Sequence, residues 1–470
     1  MGGDKMKLKP SRQLRQATWV LGCCLVLYCL LFVSDTSDHG HSPAAGQRQR
    51  PSLGQLHNLS LDEAQCAATF PGLTSQIDDV VAEGPFKVKQ TGDLGPLQGR
   101  IQHGQIYIIH SQRKSDLSRE MLNSRTAALQ QLHRAVLTSP TPLPDTVFSL
   151  NFQDSPFGTA WAYSQAADPL HRPKDADARV FLMPHFSFWA WNLPFVGSIS
   201  RAADAIASLE AAYAAPGQWH RKIGKVVWRG TTWFNSVHNP RLRQNLLAAA
   251  KNKPWADVEA LQWQGSGGNA TNALPIEDFC RYKYVLHTEG IAYSGRFQFL
   301  QMCASVVITP PIQWLQHTTH MIRPLFSSTL DLAPGRSKHG AKAGGSGSNP
   351  GPGSGPAGEK RLGWQPSERV RKVWPVQYSP EEANILFVAP DWSDLEETVA
   401  WLEDHPEVAE GIARRQRELF VDGGYFSPAA EVCYWRAMIR GWAQVARTEG
   451  EGWDSAQGVT FEAFSLTNGD

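Results

Sequence analysis

Neither sign of charge is in excess in this chain, and cysteine is scarce. Its 470 residues carry 45 basic and 44 acidic side chains, a formal net charge of +1. No global field draws nucleic acid or an acidic surface, so a nucleic-acid partner is not expected. Seven cysteines are present and no two have Cys-x-x-Cys spacing, so no zinc site, and no other metal, is assigned. The acidic "DAD" at 175–177 lies in a polar stretch rather than after an apolar strand, and reads as surface. Internal repeats of fixed period are absent as well. Long apolar runs are rare: the informative one is "ATWVLGCCLVLYCLLFV", residues 17–33.

That run would rise about 26 Å as a helix, close to the thickness of a thin bilayer. Lys5, Lys7, Lys9, Arg12 and Arg15 precede it, which predicts a cytosolic tail over 1–16, an anchor over 17–34 and a lumenal remainder. The expectation is a single-pass type II protein of the Golgi or endoplasmic reticulum membrane. The polar stretch 35–57 reads as a stem. Beyond it four cysteines remain, Cys66, Cys280, Cys303 and Cys433. An even number in an oxidising compartment predicts two disulfides, with three pairings open. Asn58 and Asn269 each open a glycosylation sequon.

A chain this long exceeds one compact core, and two domains are expected. Short apolar strands alternate with amphipathic helices in two runs, over 58–220 and 221–428. This predicts two α/β domains with largely parallel sheets. Residues 336–360 are glycine-rich and low in complexity and read as a disordered insertion. A last helical segment begins at 429 and runs toward the C-terminus at 470.

The stretch "YKYVLHTEGIAYSGRFQFLQMC", 282–303, opens as a buried strand, breaks at Gly290 and Gly295, and resumes as a helix behind Arg296. Its glycines are not spaced GxGxxG, and it is no Walker loop, so neither nucleotide fingerprint applies. It still has the parts of a diphosphate cradle. Glycine backbone permits close approach, Ser294 offers a hydroxyl and Arg296 a forked charge, and a helix N-terminus adds partial positive charge. The structural alternative is an ordinary strand-to-helix turn. "VVWRGTT" places Arg229, Gly230 and Thr231 behind a second buried strand. "NPRLR" then sets Arg241 and Arg243 in the first turn of a helix, where cations oppose the helix dipole and an anionic ligand would offset them. Asp154, in "FSLNFQDSP", ends a strand and is placed for a general base, or for a turn before Pro156. The loop "MPHFSFWAWNLPF" packs His185, Phe186, Trp189 and Trp191 between prolines. It reads as a stacking surface for an acceptor sugar or as a hydrophobic plug between domains.

Taken in order, "LPDTVFSLNFQDSP", "FLMPHFSFWAWNLPF", "VVWRGTT", the 280–308 stretch and "VCYWRAMI" resemble the CAP10-like glycosyltransferases of family 90. That family includes fungal capsule-associated xylosyltransferases and animal protein O-glucosyltransferases. The wording "HTEGIAYSGR" followed by "WLQHTTH" looks most like its filamentous-fungal branch. The resemblance implies a GT-B fold, two Rossmann-like domains facing across a cleft. It implies a UDP-sugar donor, UDP-glucose or UDP-xylose, and inversion at the anomeric carbon without a metal or other cofactor. The acceptor would be a hydroxyl of a glycan or glycoprotein. Asp154 falls where the family has its base. Gly290, Ile291, Ala292, Tyr293, Ser294, Gly295 and Arg296 fall at or beside the donor loop, and Arg229, Gly230 and Thr231 on the family's Arg-Gly-Ser turn. A further donor arginine has three competitors, His238, Arg241 and Arg243, and Arg241 is assigned. The family's disulfides would pair Cys66 with Cys433 and Cys280 with Cys303. Glu289 stands where some relatives carry a basic residue. A different class of function, a sugar-binding protein on a transferase fold without catalysis, is the alternative.

Overall fold

A computed structural model describes residues 50–91, 95–171, 178–265, 268–332, 364–449, 453 and 458–467. The cytosolic tail, the 17–34 anchor, most of the stem, the acidic triplet 175–177 and the glycine-rich insertion lie outside the described residues. Among the described residues no helix is long and apolar enough to cross a membrane. The expected transmembrane helix over 17–34 lies outside those residues and is not shown, and neither are the type II topology and the Golgi or endoplasmic reticulum membrane location that rested on it.

Two six-stranded sheets organise the rest. The second sheet runs in the order Pro324–Phe326, Ile385–Phe387, Val306–Thr309, Tyr282–Leu286, Ile223–Gly230, Ala256–Ala260, and every pair is parallel. Its strands are short unbroken apolar runs such as Val226–Val227–Trp228 and Val306–Val307–Ile308, as expected of strands covered on both faces. Alternate residues divide the two faces. Val226, Trp228, Tyr284 and Ile308 pack with Leu395, Leu402 and Ile412 of the helices Leu395–Asp404 and Pro406–Arg417. Val227, Val285 and Val307 turn to the other side.

The first sheet departs from expectation. Its order is Val459–Thr460, Gln105–His110, Leu97–Gln102, Thr146–Asn151, Ala160–Ala162, Val180–Leu182. Only the last two pairings are parallel, and the other three are antiparallel. The cause is a tight hairpin. His103 and Gly104 both take positive φ, 52° and 75°, which is what a two-residue primed turn requires. The Asp145 carboxylate accepts the His103 N–H at 2.8 Å and holds that turn.

Pro51–Asp470 groups as one compact unit. Besides the core that lies against one face of the parallel sheet, a core shared by both sheets runs from Phe148, Leu150 and Trp161 through Trp435, Met438 and Trp442 to Val227 and Val285. The helix Pro428–Val445 carries it, begun by Ser427, whose hydroxyl accepts the Ala430 N–H, with proline in the first turn. Its buried Arg436 donates to the carbonyls of Ala135 and Leu61 at 3.0 and 3.1 Å. Two disulfides form, Cys66–Cys433 and Cys280–Cys303. The first ties this helix to Glu63–Thr69. The fold is α/β with one mixed and one parallel sheet, and the GT-B expectation of two parallel-sheet halves is corrected to that.

Candidate active site

Three loops carry the expected residues. Two leave neighbouring parallel strands, Ile223–Gly230 and Tyr282–Leu286, so they emerge at the same carboxyl edge of the second sheet, where ligands of such sheets sit. The third joins Thr146–Asn151 to Ala160–Ala162 in the first sheet and contains Asp154.

Buried Asn151 shapes the Asp154 loop. Its side chain accepts the Gln153 N–H at 3.0 Å and donates to the Phe157 carbonyl at 3.1 Å. Ser164 donates to the Asp154 carbonyl at 3.3 Å. The Asp154 carboxylate itself makes no hydrogen bond or ion pair among the described residues. Solvent reaches it, yet protein crowds round it, and this desolvation raises its pKa above the ordinary carboxylate value. Its charge in turn helps burial raise the pKa of Tyr293. Asp154, on the other sheet, is thus near enough to Tyr293 of the donor loop for its charge to act there.

In the donor loop, Gly290 N–H is shared by the carbonyls of Ala292 and Tyr293 at 3.0 and 3.1 Å, a tight turn that leaves Ile291 exposed. Ala292 and Tyr293 are buried, and Ser294 is half-buried. Gly295 is a close-approach glycine, since a Cβ there would lie 2.4 Å from His185 Nε2 and 3.1 Å from Trp191. The helix that follows is one turn only, Phe297–Leu300, and Ser294 does not cap it. The expected helix-dipole contribution is corrected here, because so short a helix has almost no macrodipole. Positive charge comes from side chains instead.

Those side chains are not the expected set. Arg229 is fully occupied by protein. It pairs with Asp257 at 2.6 Å and donates to the carbonyls of Trp228, Asp257 and Asn272. Gly230 is glycine because the Trp228 ring lies where a Cβ would be, 2.3 Å away. Thr231 is buried, and its carbonyl accepts from Arg243 at 2.7 Å. Arg241 is exposed at the start of the helix Leu242–Ala250, and His238 is exposed too. Of the three competitors Arg243 is the buried one. It also donates to the Glu289 carbonyl at 3.2 Å. Arg296 donates to the Arg229 carbonyl.

Arg243 and Arg296 make no ion pair with a carboxylate among the described residues. Burial, and then Arg296 beside it, pulls Arg243 down to about 9, and burial pulls Arg296 down to about 10. Buried His287 is pushed down to about 3 by burial and by the same two arginines. Glu289 does not neutralise them. Burial pushes its carboxyl up to about 8, and it accepts the backbone N–H groups of Gln313 and Trp314 at 2.9 and 2.8 Å. Two guanidiniums thus share a desolvated recess without an anion, an arrangement an anionic ligand relieves.

The aromatic loop resolves as a plug. His185 is buried, bonded to Ser187 at 2.8 Å, and ringed by Phe186, Tyr163, Tyr293 and Trp191. Trp189 stacks under Arg134, which pairs with Glu431. Of the four residues expected to bind the acceptor, His185 is packed, Phe186 and Trp191 are half-buried and Trp189 is exposed. Asn58 and Asn269 are both exposed. Among the described residues the metal-sized cluster is Glu210, Cys280 and Cys303, and its two sulfurs are joined to each other.

Comparison with known proteins decides the family. Residues 96–327, about half of the chain, match the model for "Glycosyl transferase family 90". The chain belongs to that family. Over 329 residues it is 25% identical to human "Protein O-glucosyltransferase 1", covering 65% of this chain and 78% of the relative. It is 24% identical over 252 residues to "O-glucosyltransferase rumi" of Drosophila pseudoobscura pseudoobscura, with 48% and 56% covered. Against "Protein O-glucosyltransferase 1" of Bos taurus the figures are 26% over 263 residues, with 49% and 62% covered. The match spans less than two thirds of the length of the last two. All three are animal proteins and give no support to a fungal branch. The family 90 match contains the Asp154, Arg229, Arg243 and Arg296 loops whole, so the chemistry to account for is glycosyl transfer.

Proposed function

We propose that this chain transfers glucose, with xylose as the second choice, from a UDP-sugar to a hydroxyl of a glycoprotein acceptor, with inversion and without a metal. The observation that carries the reading is an unpaired carboxylate, Asp154, near Tyr293 of the donor loop, whose Arg296 lies beside Arg243 of the helix Leu242–Ala250, neither guanidinium having a carboxylate partner among the described residues.

The reaction is a single displacement. Asp154 takes the proton of the acceptor hydroxyl as that oxygen forms a bond to the anomeric carbon, and the bond from that carbon to the UDP oxygen breaks. A raised pKa suits the task, since a base nearer neutrality is a better proton acceptor. Arg243 and Arg296 stabilise the negative charge that grows on the leaving diphosphate, in a recess where such interactions are strong. One displacement by one carboxylate inverts the anomeric centre. On this reading the two guanidiniums supply the diphosphate with the charge a metal would bring. Glucose is preferred because the named relatives are O-glucosyltransferases.

The test uses the purified full chain with UDP-glucose or UDP-xylose, a glycoprotein acceptor and excess chelator, and follows free UDP. Wild type should release UDP from one donor. Asp154→Asn should lower the rate by about 10²–10⁴ and leave calorimetric UDP binding unchanged. Equal rates in the two proteins would remove Asp154 from the mechanism, and loss of activity in chelator would reinstate a metal.

A further inference from the structure

Large apolar side chains on the surface are unevenly placed. Of the fourteen exposed ones among the described residues, five sit on the three loops of the candidate site: Phe157, Trp233, Phe234, Val237 and Ile291. Three of these are in one segment, 232–239, which begins right after Thr231. Trp233 and Val237 are 65% exposed and Phe234 43%, and the Trp233 and Phe234 ring centroids lie 6.0 Å apart. Scattered exposed apolar residues need no explanation, but a cluster on the rim of a site marks an interaction surface.

This segment is anchored. Asn235 accepts the Arg243 N–H at 2.9 Å and donates to the Thr232 carbonyl at 2.9 Å. Ser236 contacts the Gln313 side chain at 3.4 Å, and Asn239 donates to the Pro390 carbonyl at 2.8 Å. The Asn235, Ser236 and Asn239 side chains are thus spent on holding the loop, and the apolar ones face water. Holding the rings in place in advance lowers the entropy lost when a partner binds. The Asn235 bond also fixes the platform to Arg243, one of the two unpaired cations.

We propose that Trp233, Phe234 and Val237 form a docking platform for a polypeptide acceptor with apolar side chains beside its hydroxyl-bearing residue. The platform selects the acceptor and takes no part in donor binding. A glycan would call for outward amides or carboxylates that bond its hydroxyls next to the aromatic faces. Here the segment has no carboxylate and its two amides are bonded to protein, so the partner is recognised by desolvation of apolar surface. The inference rests on the transferase reading above and names the acceptor class of that same site.

The experiment compares the full wild-type chain with Trp233→Ser/Phe234→Ser, using UDP-glucose as donor. Acceptors are serine peptides of fixed length with leucine and tyrosine, or only serine and lysine, beside the central serine, and a simple alkyl glucoside. UDP binding is measured separately by calorimetry. Wild type should prefer the apolar-flanked peptide at least tenfold in kcat/KM. The double variant should lose that preference through KM, with kcat and UDP binding unchanged. Equal preference in both proteins overturns the platform, and so does transfer by wild type to the glucoside but to neither peptide. A wild-type dimer that the variant breaks, with acceptor preference intact, assigns the patch to a second copy and also overturns it. If UDP binds and only this preference fails, the transferase reading stands. If UDP does not bind wild type, both fall.

Discussion

Two arginine turns leave the same edge of the parallel sheet, and they do opposite things. Arg229 meets Asp257 and three backbone carbonyls at once. Asp257 also accepts from Tyr282, and the Tyr282 and Arg229 hydrogen bonds hold its carboxyl below the ordinary range against the opposing effect of burial. Arg296 and Arg243 have backbone carbonyls, the Trp228 ring and each other for company, and no carboxylate among the described residues. A buried charge that is paired holds the fold, while a buried pair of like charges is tolerated where a ligand completes it. The comparison separates an arginine paired within the fold from two that the proposed mechanism assigns to the donor, although the motifs "WRGTT" and "SGRF" look equally suited to phosphate.

The largest effect expected of this difference is at Arg296. Arg296→Ala should lower kcat/KM for the sugar donor by about 10²–10³, the scale of one lost transition-state donor in a dry site. It should also abolish the rise in Tm that UDP gives wild type, since a ligand stabilises only the state that binds it. The fold should hold, because no carboxylate loses its partner. An unchanged UDP-induced shift would break the comparison from the functional side.

Arg229→Ala probes the structural side. Removing one partner of a largely buried pair leaves Asp257 uncompensated, and a loss of about 3 kcal/mol is expected. Denaturant unfolding should show it, while the donor KM, measured at a temperature where the variant is folded, stays within about twofold, a shift of under about 0.5 kcal/mol. Normal stability with a lost donor KM would return Arg229 to the diphosphate.

Gly295→Ala lies between the two, because this glycine joins the donor loop to the aromatic plug. A Cβ 2.4 Å from His185 Nε2 forces the buried imidazole or the loop to move. About 1–3 kcal/mol of stability should be lost, as in other overpacked sites, with the donor KM raised because Arg296 follows directly. A further His185→Ala change, which makes room, should restore the donor KM more than it restores Tm. Additive loss in the double variant would mean that His185 and Gly295 are not coupled.

How far the sequence reveals all this depends on the kind of contact. The parallel sheet is legible because its strands are unbroken apolar runs with helices between them, and the loop that holds Asp154 because turn residues follow the strand Thr146–Asn151. The hairpin at His103–Gly104 is harder, since histidine is uncommon at positive φ, and without it the first sheet reads as parallel. Arg241 and Arg243 cannot be told apart by spacing in a helix's first turn, because only packing decides which faces inward. The single-turn helix after Arg296 hides for a similar reason. "FQFLQMC" has helical composition, but the Cys280–Cys303 bond and the strand from Val306 end it early. The partner of Arg229 is 28 residues away on a neighbouring strand, and no local pattern announces it.

Glu289 offers the smallest and finest test. Its place between the two arginine turns invites the idea that it neutralises one of them, but its carboxyl is pushed from 4.5 up to about 8 by burial, with the N–H groups of Trp314 and Gln313 pulling the other way. At neutral pH it is therefore mainly protonated and serves as an acceptor for those two amides. Glutamine keeps that acceptor, so Glu289→Gln should change stability by under about 1 kcal/mol at pH 5. The sign above that follows from linkage. A folded-state pKa above the unfolded one means that the native protein binds the proton more tightly, so wild-type stability declines as pH rises from about 4.5 to about 8. Glutamine carries no such proton. The variant should gain on wild type through that window and be the more stable protein at pH 9, as seen in Tm at the two pH values. A Tm gap independent of pH would mean that Glu289 is ionised throughout, and that the two arginines have a carboxylate partner after all.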